Sequence, residues 1–301
     1  LQYSVNFDKQ FNGNSEHRFT FDFQYENSNE DEFSLIQQDG DASERVTTLE
    51  EQDQILLQSD YVMPIGEKGQ FEFGYRGNFN ELDTDYALEF YDGNDYVLDT
   101  DVSNNLVYRE YINAVYSQFG SKIKDKFSYL LGLRMESTRI TIDQVTSGDF
   151  DKKNYVGFFP TVNLGYEITE NQSITFGYNR RIRRPRSRFI NPFPSRSSAT
   201  NLFQGNPDID PSYSNTVDIG YLNKFGKVTL NSSIYFQHAT DVFTFITEDT
   251  GQTVTVGGTE VPVIRRVPIN LATNDRFGFE FTVTYRPSKK WNLNGNFNLF
   301  Q

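Results

Sequence analysis

The chain has no cysteine and only two histidines, two methionines and one tryptophan among 301 residues. Without thiols there is no disulfide framework and no thiolate metal site, and His17 and His238 stand too far apart in sequence to suggest zinc. No run of about 18 apolar residues occurs, so no transmembrane helix is available. The opening LQYSVNFDKQ lacks the basic and apolar stretches of a signal peptide, so the chain reads as soluble, already processed or a fragment. A basic surplus is missing too. The formal net charge of -13 argues against nucleic acid as a partner, because a polyphosphate needs a basic face.

Catalytic signatures are equally scarce. There is no GxSxG elbow, no HExxH, no P-loop and no cysteine nucleophile, so no catalytic residue, metal or cofactor is expected and the chain does not read as an enzyme. Asp208 and Asp210 in GNPDIDP suit turn capping better than hydrolysis. The run Asp83, Asp85, Asp92, Asp95, Asp99 and Asp101 lacks the spacing of an EF-hand and reads as solvated charge.

What the chain does have is rings. Aromatics reach 16%, with 28 Phe and 18 Tyr, while mean hydropathy stays at -0.60. The rings fall with period two, the mark of a strand whose faces meet different solvents. About twelve strands can be counted. Leu1, Tyr3, Val5 and Phe7 share a face, as do Phe19, Phe21, Phe23 and Tyr25. Ile55, Leu57, Tyr61 and Met63 pair with Phe71, Phe73, Tyr75 and Phe79. Ile112, Ala114 and Tyr116 form the apolar row of the next strand, returning through Phe127, Tyr129, Leu131, Leu133 and Met135. Val156 to Ile168 and Ile174 to Tyr178 follow, with Pro160 predicting a bulge or strand end because it removes a ladder donor. The last hairpins run Val217 to Phe236 and Phe277 to Leu299.

Short turns are expected near 10–15, 64–69, 120–126, 169–172, 223–227 and 287–290. Long polar loops are expected over 27–53, 80–106, 143–154, 182–211 and 240–270. Short turns at one end and long loops at the other suit an outer-membrane barrel. Asp22, Glu72, Arg76, Arg134, Glu136, Glu167 and Glu280 all fall on the polar rows, as a lipid-facing apolar row requires. A soluble sandwich or solenoid also alternates, but its inward rows call for Val, Ile and Leu rather than Phe and Tyr.

One segment breaks the pattern, YNRRIRRPRSRFINPFPSRSSATNLFQGNPDIDPSYSNTVDIGY from Tyr178 to Tyr221. Together with the SDYVMPI and FEFGYRGNF hairpin, its YNRRIRRP, INPF and GNPDIDP motifs resemble the barrel part of TonB-dependent receptors, specifically the outer-membrane β-barrel family common in Bacteroidetes. The resemblance extends more weakly over residues 1–301. It implies an all-β, antiparallel transmembrane β-barrel whose twelve or so strands belong to a larger 22-stranded barrel closed by a plug. It also implies residence in the Gram-negative outer membrane, with short turns periplasmic and long loops extracellular. The function implied is TonB-dependent uptake of a large or scarce ligand. The partners implied are outer-membrane lipid, a plug domain of the same full-length chain, the TonB complex and a surface lipoprotein. A non-transporting barrel serving adhesion or structure is the alternative. Arg181, Arg183, Arg184, Arg186 and Arg188 are candidates for holding an anionic ligand or the plug through bidentate guanidinium bonds. Pairing with Glu and Asp of neighbouring strands, as a lumenal charge ladder, is the blander reading of the same cluster and the favoured one.

Overall fold

The computed structural model describes residues 1–38, 41–100 and 102–301. Among the described residues, fifteen strands form one sheet. The first eight are β1 (Gln2–Phe11), β2 (Asn14–Gln38), β3 (Asp41–Ile65), β4 (Gly69–Tyr91), β5 (Tyr96–Leu98), β6 (Asn104–Ile123), β7 (Phe127–Gln144) and β8 (Asp149–Thr169). After β9 (Gln172–Arg183) come a four-residue helix, α1 (Ser187–Ile190), and the short strands β10 (Pro194–Ser198) and β11 (Asn201–Gln204). The chain finishes with β12 (Ser212–Phe225), β13 (Val228–Val256), β14 (Thr259–Ser288) and β15 (Trp291–Phe300). With the short β5, β10 and β11 set aside, twelve strands run up and down in sequence order, and every pair along that path is antiparallel.

All six short turns fall where expected. Asn12 and Gly13 both take positive φ (54 and 69°), as do Lys124 and Asp125 (50 and 56°), the geometry that matches a two-residue turn to the twist of its strands. Outward from these turns the apolar rows are bare. Val5 is 58% exposed, Leu131 50%, Phe158 53% and Phe277 58%. Rows of this kind continue over every long strand, far beyond the apolar patch a soluble monomer exposes.

In β6 the two rows are exchanged relative to the sequence reading. Tyr116 pairs with Gly74 and Arg134, and Val115 with Tyr75 and Met135, so Ala114 and Tyr116 face inward and Val115 faces outward. Both rows of β6 are chemically mixed, so its phase is set by register with β4 and β7 rather than by its own alternation. Tyr116 donates its hydroxyl to Asp60 across the inner face, while Tyr75 donates to Asn113 Oδ1 at 2.7 Å on the outer one.

Most of the expected long loops are strands. The β2–β3 ladder runs out to Gln38 and Asp41, β7 and β8 are joined by a turn at 145–148, and β13–β14 runs to a turn at Gly257 and Gly258. Past the apolar band both faces meet water, so alternation disappears from the sequence while the hydrogen-bond ladder persists. The change of regime is visible in β13, where register slips between Ala239 and Phe243 around the positive-φ Asp241. Pro160 produces no bulge against β7. It stays in register with Leu133, but the ladder to β9 ends one residue earlier, at Thr161 and Asn179, so the expected strand end is confined to one edge.

The sheet must curl. Arg196 in β10 binds Glu44 of β3, while Asn201 in β11 pairs with Ile264 of β14. Those two strands lie eight neighbours apart along the sheet, roughly 38 Å if it were flat. A single hairpin spans them only because the strands bend into a trough whose inner face carries the polar rows.

Inside the trough, rings lie over glycines. A Cβ at Gly74 would stand 2.4 Å from the Tyr116 ring, one at Gly157 2.5 Å from Phe159, and one at Gly278 2.2 Å from Tyr235. Gly74→Ala and Gly278→Ala are therefore expected to lower stability by about 1–3 kcal/mol each through overpacking. Gly295→Ala, with nothing within 4 Å, should change little. Urea titrations in detergent micelles measure all three, and equal stability throughout would mean that the rings have other places to go.

Candidate functional site

The segment between β9 and β12 turns into the trough at the long-hairpin end. Pro185, Pro192, Pro194, Pro207 and Pro211 keep it extended apart from α1. Ile190 and Ile209, each 1% exposed, are buried against Leu82, Leu106, Tyr108, Ile140 and Ile142 of the inner wall. Burying two isoleucines stabilises the docked segment by about 3–6 kcal/mol before the entropy of ordering it is counted. Gly205 is required where the chain passes α1, since a Cβ would lie 2.4 Å from the Asn191 carbonyl oxygen.

Polar contacts complete the docking. The Asp210 amide donates to Asn270 Oδ1 at 2.7 Å, and Lys153 Nζ donates to the Ile209 carbonyl at 2.7 Å and to Asp210 Oδ1 at 3.3 Å. GNPDIDP is thus an anchoring turn, but its cap is Asn206, whose Oδ1 accepts from the Asp208 amide at 2.9 Å, rather than either aspartate.

The arginines diverge. Arg184 reaches Glu136 at 2.5 Å and Thr138 Oγ1 at 2.9 Å, and Arg134 holds the other oxygen of Glu136 at 2.5 Å. Arg196 binds Glu44 while its amide donates to the Tyr86 hydroxyl at 3.0 Å, and burial raises the Tyr86 phenol above its ordinary range. Others stack on rings. Arg183 lies 4.9 Å from Phe243, Arg188 4.6 Å from Phe203 and Arg180 5.0 Å from Tyr213. Arg181 and Arg186 are exposed, and neither makes an ion pair among the described residues. The five candidates do not converge on one point. Of them, Arg188 lines a cavity of the trough, and Arg184 clamps the segment to β7.

That cavity, about 370 Å³, lies between α1, the β10–β11 hairpin and the inner faces of β2, β3, β4 and β6. Its lining includes Glu30, Glu32, Glu50 and Tyr86, which the sequence reading left inside polar loops. A signal was present: Glu30 and Glu32 continue the even-numbered polar row of Asp22, Gln24 and Glu26. Burial, then Glu30 and Glu32, hold the Glu50 carboxyl above the usual carboxylate range, with a hydrogen bond from Thr84 opposing them. Among the described residues, no group of His, Asp and Glu has the geometry to hold a metal ion.

Residues 9–301 match the profile of the family described as "Outer membrane protein beta-barrel family". No curated protein matches the chain in sequence. Solved structures match over its whole length. They include the copper transporter OprC (TM-score 0.70, 11% identity, 100% of this chain and 45% of that one). The Serratia marcescens hemophore receptor HasR, solved with its hemophore and heme, gives 0.68, 10%, 100% and 48%. The ferric yersiniabactin uptake receptor FyuA from Yersinia pestis gives 0.65, 13%, 100% and 42%. The chain spans less than half the length of these proteins, and at such identity the likeness is one of fold.

Proposed function

The chain belongs to the outer-membrane protein β-barrel family and resides in the Gram-negative outer membrane, and on that premise we propose that it forms part of the wall of a receptor barrel for TonB-dependent uptake. The observation that carries the reading is the segment 184–211, which turns inward at the long-hairpin end and walls a cavity there instead of projecting into solvent. The short turns are periplasmic and the long hairpins extracellular in this reading. Strands beyond β1 and β15, both paired on one edge only, complete the barrel, and a plug and a TonB-coupling segment belong to the remainder of the protein. The neighbours named for ferric yersiniabactin, copper and heme support a scarce ligand as cargo. The role is binding and passage, without catalysis.

The β2–β3 and β13–β14 ladders favour a second reading, since rigid hairpins standing past the apolar band suit contact with a surface lipoprotein or another cell. Growth of the native host on a limiting nutrient separates the two. Uptake should fall when the full-length gene is deleted, return with the intact gene, and fail again when TonB is inactivated. Unchanged uptake in the deletion, with adhesion lost, would favour the second reading.

A further inference from the structure

The cavity combines two chemistries that stability alone does not account for. Its strand side carries Glu30, Glu32 and Glu50, and Leu82, Leu106 and Phe203 supply apolar surface. Glu30 and Glu50 are direct cross-strand partners, and like charges so placed destabilise a sheet. None of the three carboxylates makes an ion pair among the described residues. The nearby cations are engaged elsewhere, Arg196 by Glu44 and Arg188 over Phe203. Asn104, 4% exposed, also lines the cavity, and its Oδ1 has no hydrogen-bond partner among the described residues. Both cations therefore line the cavity without pairing with its three carboxylates, and an acceptor-rich wall of this kind, set beside aromatic and aliphatic surface, matches neither a bare metal ion nor an anion.

We propose that this cavity binds an organic cation, seating a primary ammonium group among Glu30, Glu32 and Glu50 and its apolar body against Leu82, Leu106 and Phe203. Asn104 Oδ1 is a further acceptor for the same head group. The inference rests on the receptor reading for access from outside the cell, and it names the chemistry of what enters.

The test is calorimetric titration of the purified full-length protein in detergent with lysyl-phenylalanine amide, and with the same peptide acetylated on both amines. Saturable binding of the free peptide is expected, about tenfold weaker after acetylation and about tenfold weaker in Glu50→Gln and in Glu30→Gln. Because the charge on Glu50 opposes folding, Glu50→Gln should keep or raise stability while losing affinity, which a merely structural carboxylate would not do. Equal binding of the acetylated peptide, absence of saturable binding by folded wild type, or full affinity in both variants would each overturn the proposal. So would displacement by stoichiometric calcium, which would mark a divalent-metal site. The acetylation arm needs no variant, so it decides even where a substitution prevents folding. Uptake is not read, so failure here leaves the transport reading standing, and failed uptake leaves a measured affinity intact.

Discussion

Arg184→Ala is expected to release the inward segment from the wall of the trough. Arg184 and Glu136 side chains are 17% and 10% exposed, and the guanidinium ties the start of the segment to β7. Breaking a buried pair by removing one partner typically costs about 3–5 kcal/mol. Here Arg134 still faces Glu136 at 2.5 Å, so the loss should be nearer 2–3 kcal/mol on the same scale. Limited proteolysis in detergent should show new cleavage between residues 185 and 211, where the wild type is protected by Ile190 and Ile209. A double variant, Arg184→Ala with Glu136→Gln, should recover nothing, since Arg134 already compensates Glu136 in the single variant and loses its own partner in the double. Protection unchanged in Arg184→Ala would mean that the isoleucines alone hold the segment.

A charge on the outer row carries the other large effect. Leu131 is half exposed between Phe119 and Val162, several residues from either end of the apolar stretch of β7. Leu131→Arg should destabilise the membrane-inserted protein by about 2–4 kcal/mol. Asn163→Arg, on the inner face opposite Leu130, should be tolerated. The comparison is made by urea unfolding in lipid vesicles. Equal cost at both positions would remove the distinction between a lipid face and a water face.

Much of this architecture could be read from the chain because a transmembrane strand must write its two solvents into alternate residues. All twelve long strands and all six short turns are visible that way. The exceptions have physical causes. In β6, Asn113 and Ser117 sit in the outer row while Ile112, Ala114 and Tyr116 sit in the inner one, so local pattern and true face disagree and register decides. In the hairpins of β2–β3 and β13–β14 both faces meet water, and the pattern vanishes where the strand does not. The arginine and proline segment was conspicuous by composition, but its docking depends on Ile190 and Ile209 meeting Leu82 and Ile142 from distant strands, which no local period records. The candidate arginines were visible as a cluster, whereas the divergence of Arg184 onto Glu136 and of Arg183 and Arg188 onto the rings of Phe243 and Phe203 was not. The acidic wall of the cavity was legible only in part, through the even-numbered polar row that Glu30 and Glu32 continue.

Since the chain lacks cysteine, single cysteines can be placed one by one at positions 130 to 135 of β7 and at 114 and 115 of β6. Each is labelled with a fluorophore and quenched by brominated lipid in reconstituted vesicles. The fold described here predicts strong quenching at 131, 133, 135 and 115 and weak quenching at 130, 132, 134 and 114. Uniform quenching along β7, or quenching of 114 in place of 115, would contradict the assignment of one face to lipid and the other to the lumen.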